Sequence, residues 1–260
     1  MSGNTVLITG ASGGIGYELA RLFARDRHNL VLVARSAEKL AQVAGELQAQ
    51  GVLVKTVALD LGEQHAPKFL LDQLQRESIA IDILVNNAGF GAYGEFAKMP
   101  EEQILGQINL NITALTELTK LFLPAMLARR SGRIMNVAST AGFQPGPLMA
   151  VYYATKAYVI SFSEAIGNEL RSSGVTVTCF CPGATNTGFT KRAGNDKSRL
   201  FQLGAMSAEK VALDGYRAVM EGRSLAISGT HNWLVAQSVR FAPRKFVTAI
   251  SRWVSESAER

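Results

Sequence analysis

The sequence is poor in cysteine, histidine and long apolar runs. Cys179 and Cys181 are the only cysteines in 260 residues. Two positions apart on an apparent strand, they cannot meet with normal disulfide geometry, so they read as reduced core residues in a cytoplasmic protein. The three histidines, His28, His65 and His231, are scattered without ligand spacing. Neither a metal site nor a Ser-His-Asp hydrolase has anything to build on. No window approaches the length of apolar sequence needed to span a bilayer. The start, MSGNTVLITG, lacks the basic region and long apolar core of a signal peptide. Nucleic-acid-binding motifs are missing as well.

What is present fits one sizeable domain over residues 1–260, since 47% of the residues are hydrophobic. The net charge of +6 is unevenly placed: residues 1–190 carry fifteen basic and fifteen acidic side chains, and residues 191–260 carry twelve and six. A basic last quarter suits an anionic substrate or membrane headgroups, although a solvated basic face is the favoured reading.

Short β-branched apolar runs at 5–10, 29–35, 52–60, 81–89, 132–139 and 175–183 alternate with amphipathic stretches at 16–26, 36–51, 65–78, 101–132 and 157–174. Strands apolar at nearly every position and separated by helices imply a parallel sheet covered on both faces. Right-handed crossovers then give a single-domain, doubly wound α/β fold of the Rossmann type, with about seven strands. Gly51, Gly132 and Gly174 sit where helix C-caps are expected. Past Pro182 the rhythm breaks. Residues 184–206 read as a long substrate lid, a helix and a last strand follow, and 231–260 form a helical tail broken at Pro243.

LITGASGGIGYELA places Gly10, Gly14 and Gly16 between the first strand and the first helix. Glycines there allow a tight turn and close approach of backbone to a pyrophosphate, while the helix N-terminus offers unpaired N–H groups. The spacing is TGxxxGxG, which resembles the short-chain dehydrogenase/reductase family. That resemblance implies that Gly10, Ser12, Gly14, Ile15 and Gly16 lie under the pyrophosphate of NAD(P). The second strand ends in Ala34 and Arg35 rather than in the carboxylate that would hold the ribose of NAD. Arg35 could pair with a 2′-phosphate, which favours NADP(H), or it could be a surface arginine at a helix start. Asp60 matches the family residue at the adenine edge, with Leu61 beside it, and could otherwise be a strand-end turn residue. NNAG, with Asn87, Ala88 and Gly89, is the second motif in register.

Reducing a carbonyl leaves negative charge on oxygen, so the site needs a proton donor and hydrogen-bond donors aimed at that oxygen. In VYYATKAYVISF only Tyr152 has a lysine, Lys156, at i+4, on the same face of a helix. An ammonium there would lower the phenol's pKa toward the working range; Tyr153 reads as packing. By the resemblance, Ser139, thirteen positions before Tyr152, hydrogen-bonds the substrate oxygen. Asn111, preferred to Asn109, sits where the helix opens to hold a relay water. The resemblance also implies that Lys156 holds the nicotinamide ribose. It further implies that Pro182, Gly183 and Thr187 touch the nicotinamide carboxamide, with Thr185 also at the cofactor.

The resemblance therefore implies an NADP(H)-dependent oxidoreductase interconverting an alcohol and a ketone or aldehyde. The alternative is a nucleotide-binding sensor with little turnover. Phe90, Tyr93, Phe189, Phe201 and Leu203 suggest an aromatic wall for an apolar or lipid-like small-molecule substrate. The tail from Trp233 to Trp253 could touch a membrane surface, but capping the sheet or an oligomer interface is favoured. A homodimer or homotetramer is expected from the family's habit.

Overall fold

The computed structural model describes residues 3–194, 198–199 and 204–256. Seven strands form one parallel sheet: β1 (Thr5–Thr9), β2 (Asn29–Ala34), β3 (Val54–Ala58), β4 (Ile83–Asn86), β5 (Gly132–Val137), β6 (Val175–Cys181) and β9 (Leu225–Ile227). Their order is β3-β2-β1-β4-β5-β6-β9. The chain winds outward from β1 to β3 and then returns to the other side of β1 with β4, so β1 and β4 pair in parallel with Val6 beside Ile83. This is the point at which the strand order reverses, where doubly wound sheets leave a crevice at the carboxyl ends. Two further strands, β7 (Thr185–Asn186) and β8 (Met206–Ser207), pair separately.

The alternation of side chains along β1 sorts the two layers. Val6 and Ile8 face a cluster with Leu19 and Phe23 of α1 (Gly14–Arg25), Leu40 of α2 (Ala37–Gln48) and Val211 of α8 (Ala208–Glu221). Leu7 faces the opposite cluster, with Leu70 of α3 (Ala66–Arg76), Leu118 and Phe122 of α5 (Leu115–Ala128), and Ile166 of α6 (Ala150–Glu169) packed against it. No helix among the described residues is long and apolar enough to cross a membrane.

Three expectations are corrected here. The stretch 101–132 is two helices, α4 (Glu101–Ile108) and α5, joined by a π-helical turn over Asn109–Ala114. Gly132 is no C-cap: Arg130 takes the left-handed conformation after α5, with φ 51°. Gly132 opens β5 where a Cβ would lie 2.6 Å from the Met126 sulfur. Gly51 and Gly174 do have positive φ, 80° and 86°. The segment 184–206 is not wholly irregular, since it contains β7 and α7 (Gly188–Ala193) and leads into β8. The tail forms α9 (Thr230–Ser238) and α10 (Arg244–Ser255), divided at Pro243 as the sequence implies.

Candidate active site

A cleft of about 1620 Å³ runs across the carboxyl ends of the strands. Pockets for single small ligands are commonly about 300–1,000 Å³, so this one has room for a dinucleotide and a second molecule. Of the residues picked out from the sequence, Gly10, Ser12, Gly14, Ile15, Arg35, Asp60, Leu61, Asn87, Ala88 and Gly89 line it on one side. Ser139, Tyr152, Lys156, Pro182, Gly183, Thr185 and Thr187 line it on the other.

The first turn is held open by conformation and by cross-ties. Gly10 and Gly14 have φ of 68° and 56°, a region open to glycine at little cost. The N-cap of α1 is Gly13, which makes no side-chain cap bond, so the first N–H groups of the helix face the cleft. Gly16 has a different part. It does not line the cleft, and a Cβ on it would lie 2.4 Å from the Gly10 carbonyl oxygen and 2.5 Å from Asn87 Nδ2. It lets α1 close on the turn. Thr9, which the sequence reading passed over despite its place in TGxxxGxG, is the hub. Its Oγ1 accepts from the Asn87 and Ala88 amides at 3.0 and 2.9 Å, and Asn87 Nδ2 donates to the Thr9 carbonyl at 2.8 Å. On the far side of the turn, a Cβ on Gly14 would meet Thr187 at 3.2 Å, so the PGxxxT segment folds over the glycines.

At the outer mouth Arg35 stands 3.5 Å from Asp60 Oδ2 and is 66% exposed. The other Asp60 oxygen accepts from the Gly62 amide at 2.9 Å. Two residues the sequence reading missed, Ser36 and Lys39, line the same mouth. Ser36 caps α2 by accepting from the Lys39 amide. The signal was a serine at the N-cap with a lysine three positions on.

Asn111 lies in the π turn and is buried. It accepts from the Phe90 amide at 3.1 Å and donates to the Phe90 carbonyl at 2.9 Å and to Thr155 Oγ1 at 3.1 Å. Thr155 in turn donates to the Tyr152 carbonyl at 2.7 Å. Asn111 thus ties the loop after β4 to the helix that carries Tyr152, whereas Asn109 is exposed. Deeper in the sheet, Asn86 donates to Thr119 and Asn136, and Asn136 donates to Ser163. Of this buried polar chain only Asn86, the first residue of NNAG, lay in a sequence motif.

Because α6 begins at Ala150, Tyr152 and Lys156 lie on one face of it. Tyr152 keeps an opening to the cleft but is closely surrounded, with Gly91 near enough that a Cβ there would meet the ring at 3.1 Å. Phe189 packs at 5.4 Å between ring centroids. Burial drives the phenol's pKa well above its ordinary value, opposed by a hydrogen bond with Ser139. This corrects the expectation that Lys156 lowers it. The ammonium lies 5.8 Å from the ring centroid and donates to the Val137 carbonyl at 2.8 Å. Burial in turn pushes Lys156 down to about 8. Ser139 Oγ also accepts from the Ala141 amide at 3.1 Å. Tyr153 is buried as a packing residue, and its hydroxyl hydrogen-bonds Ser255 and Ser251 of α10.

The lowered lysine has a consequence for stability. Between pH 8 and the ordinary lysine value of 10.5, the unfolded chain holds a proton that the folded one has released. Stability contributed by this site therefore rises with pH through that window. The raised Tyr152 phenol acts oppositely, but only above its unfolded value of 10.0. The melting temperature of the wild type relative to a Lys156→Met variant is therefore expected to rise between about pH 7 and about pH 9.5. A flat difference would contradict the buried ammonium.

The far wall of the cleft is not the one anticipated. Phe90 and Phe189 line it. Tyr93 packs instead beside Met149, Tyr152 and Phe189, and Phe201 and Leu203 lie outside the described residues. The main apolar surface comes from the tail: Val235 of α9, and Phe246, Val247, Ile250 and Val254 of α10. The tail, expected to cap the sheet or to join an oligomer, supplies a roof over the cleft. Gly183 meets the tail closely, since a Cβ there would lie 2.3 Å from Asn232 Nδ2.

Residues 4–198 match the family described as short chain dehydrogenase. The chain is 39% identical over 191 residues to the ketoacyl reductase HetN of Nostoc sp., covering 73% of this chain and 67% of that one. It is 38% identical over 196 residues to a very-long-chain 3-oxoacyl-CoA reductase of Anas platyrhynchos, covering 73% and 62%. The chain thus spans a little under two thirds of the duck relative. Among solved structures, a short-chain dehydrogenase from Sphingobium yanoikuyae in complex with NADPH superposes with a TM-score of 0.83 at 35% identity, over 92% of this chain and 94% of that one. With the family match spanning most of its length and this sheet order beneath it, the chain belongs to the short-chain dehydrogenase/reductase family of oxidoreductases.

Proposed function

We propose that the protein is an NADP(H)-dependent oxidoreductase that interconverts an alcohol and a ketone or aldehyde, with Tyr152 as the acid and base. The observation that carries this reading is the convergence of Ser139, Tyr152 and Lys156 on one end of a cleft whose other end is the uncapped N-terminus of α1. The turn fits a pyrophosphate: a Cβ on Gly13 would have nothing within 4 Å, so the backbone offers an open face of N–H donors.

NADPH would supply the hydride. The buried phenol keeps its proton near neutrality, which is the form that donates to the oxygen of a carbonyl being reduced. The phenolate left behind is stabilised by the Ser139 hydroxyl. In the oxidative direction the same oxygen takes the proton back. Asn111 acts as a positioning residue, because its bonds to Phe90 and Thr155 hold the Tyr152 turn against the loop after β4. Pro182, Gly183, Thr185 and Thr187 would hold the nicotinamide end. A small carbonyl or alcohol substrate with an apolar body suits the wall formed by Phe90, Phe189 and the tail. Association as a homodimer or homotetramer follows family habit.

The choice of NADP(H) rests on the outer mouth, where Arg35 and Lys39 stand beside the Ser36 hydroxyl. Its nearest carboxylate, Asp60, is already paired with Arg35. The similar Sphingobium yanoikuyae enzyme is in complex with NADPH, which agrees with this choice. A hydrogen bond to a charged group contributes about 1.5–3 kcal/mol, or about 10- to 100-fold in affinity. Titration followed by nicotinamide fluorescence should therefore show NADPH binding at least about tenfold tighter than NADH, with Arg35→Ala erasing most of the gap. Equal binding would count against the 2′-phosphate reading, and binding of neither would count against the oxidoreductase itself.

A further inference from the structure

We propose that the outer surface of α9 and α10, with the turn between them, docks onto an anionic lipid bilayer, so that the cleft opens against the membrane. Helix α10 packs serines inward and divides its apolar side chains between the cleft and solvent. Its buried residues are Ser251 and Ser255, facing the Tyr153 hydroxyl. Phe246, Ile250 and Trp253 follow one another at i, i+4 and i+7 and so form one stripe. They remain 61%, 47% and 54% exposed. A surface helix in water ordinarily does the opposite. Phe241, which is 89% exposed, and Trp233 and Leu234 of α9 add further exposed apolar side chains in the same tail. Both tryptophans of the chain, Trp233 and Trp253, are exposed and lie in this tail.

The charge around the stripe selects the occupant. Residues 222–255 contain no aspartate or glutamate and five arginines or lysines. Arg240, Arg244 and Lys245 are exposed and make no ion pair among the described residues. Arg252 pairs with Glu256. A second copy of this chain, joined by a two-fold axis, would set Arg240, Arg244 and Lys245 against basic neighbours, and Glu256 beside the stripe is already paired with Arg252. Anionic headgroups neutralise these cations, and an apolar stripe of Trp, Phe and Ile edged by Arg and Lys is the composition that lies in a bilayer interface.

The same surface is continuous with the cleft. Phe246 and Ile250 belong both to the exposed stripe and to the cleft wall. An apolar molecule dissolved in the lipid would meet that wall without crossing water. Docking itself depends on α9 and α10 alone, so it stands or falls apart from the redox reading.

The two tryptophans provide the readout. The full chain is mixed with vesicles of phosphatidylcholine alone, or of phosphatidylcholine with about a quarter phosphatidylglycerol, the attraction to which should grow with each surface Lys or Arg. The expected result is a blue shift of tryptophan emission and co-sedimentation with the anionic vesicles, both weakened by salt. The doubly charge-reversed variant Arg244→Glu, Lys245→Glu should lose about tenfold or more in partitioning while keeping its melting temperature. If the wild type neither shifts nor sediments, or binds neutral vesicles equally well, the proposal is overturned. Light scattering supplies the other overturning result: a dimer whose emission is already blue and does not respond to vesicles would assign the surface to a second copy.

Discussion

Replacing Tyr152 by phenylalanine is expected to lower kcat for carbonyl reduction by about 10²- to 10⁴-fold, the usual contribution of a positioned proton donor. The ring of Phe would keep the packing against Phe189 and the contact with Gly91, and only the hydroxyl and its bond to Ser139 would go. NADPH affinity should therefore change little, because the turn over Gly10–Gly14 and the outer mouth at Arg35 are untouched. The burden on the variant should fall on kcat rather than KM, since the proton is transferred only in the transition state. Steady-state kinetics beside a cofactor titration separates the cases. A variant that retains wild-type kcat would remove Tyr152 from the chemistry, and one that loses cofactor binding as well would point to a collapsed site.

The second large effect is expected at Gly16. Gly16→Val would place a branched side chain where even a Cβ lies 2.4 Å from the Gly10 carbonyl oxygen. That oxygen belongs to the turn, and the other near atom, Asn87 Nδ2, is bonded to the Thr9 carbonyl. No flexible side chain can give way, so α1 or the turn must move. Forced overpacking of this kind costs about 1–3 kcal/mol. Displacement of the N–H donors by an ångström should weaken NADPH binding by about 100-fold or more, the scale of lost charge-assisted hydrogen bonds. Gly45→Ala makes the matched control. It lies inside α2 with nothing within 4 Å of a Cβ, so alanine there should leave cofactor binding alone and stabilise the helix by about 0.5–1 kcal/mol. If Gly16→Val binds NADPH normally, the turn does not hold the cofactor as argued.

The parts of the site that could be read from the chain are those whose chemistry is local. Tyr152 was separable from Tyr153 because helical spacing gives only one of them a lysine on its own face, and the structure agrees by burying Tyr153 against α10. Asn111 was separable from Asn109 by the small residue that follows it three positions on; the π turn contains both, and of the two only Asn111 is buried. The first turn declared itself through glycines placed between an apolar run and an amphipathic one. What went unread depends on partners distant in sequence. Thr9 matters because its hydroxyl meets amides nearly eighty residues away. The sign of the Tyr152 shift was misjudged because spacing sets the lysine on the right face but says nothing of where its ammonium ends. Val137 offers a carbonyl there, and burial sets the sign of the phenol's shift, opposed by Ser139.

The tail shows the limit most clearly. Its sequence states that two helices break at Pro243 and that they mix aromatic with basic residues. Periodicity alone would turn the stripe of Phe246, Ile250 and Trp253 toward the protein. The fold instead buries Ser251 and Ser255, because the place available to α10 is above the Tyr153 hydroxyl and beside the cleft. Sequence by itself determined the strands, the winding of the sheet, the phosphate turn and the Tyr152–Lys156 pair, since each follows from spacing along a regular backbone. Only the tertiary structure decided the protonation balance of that pair, the roof of the cleft and the face that α10 leaves to solvent, because burial and contact are properties of neighbours brought together from the whole length of the chain.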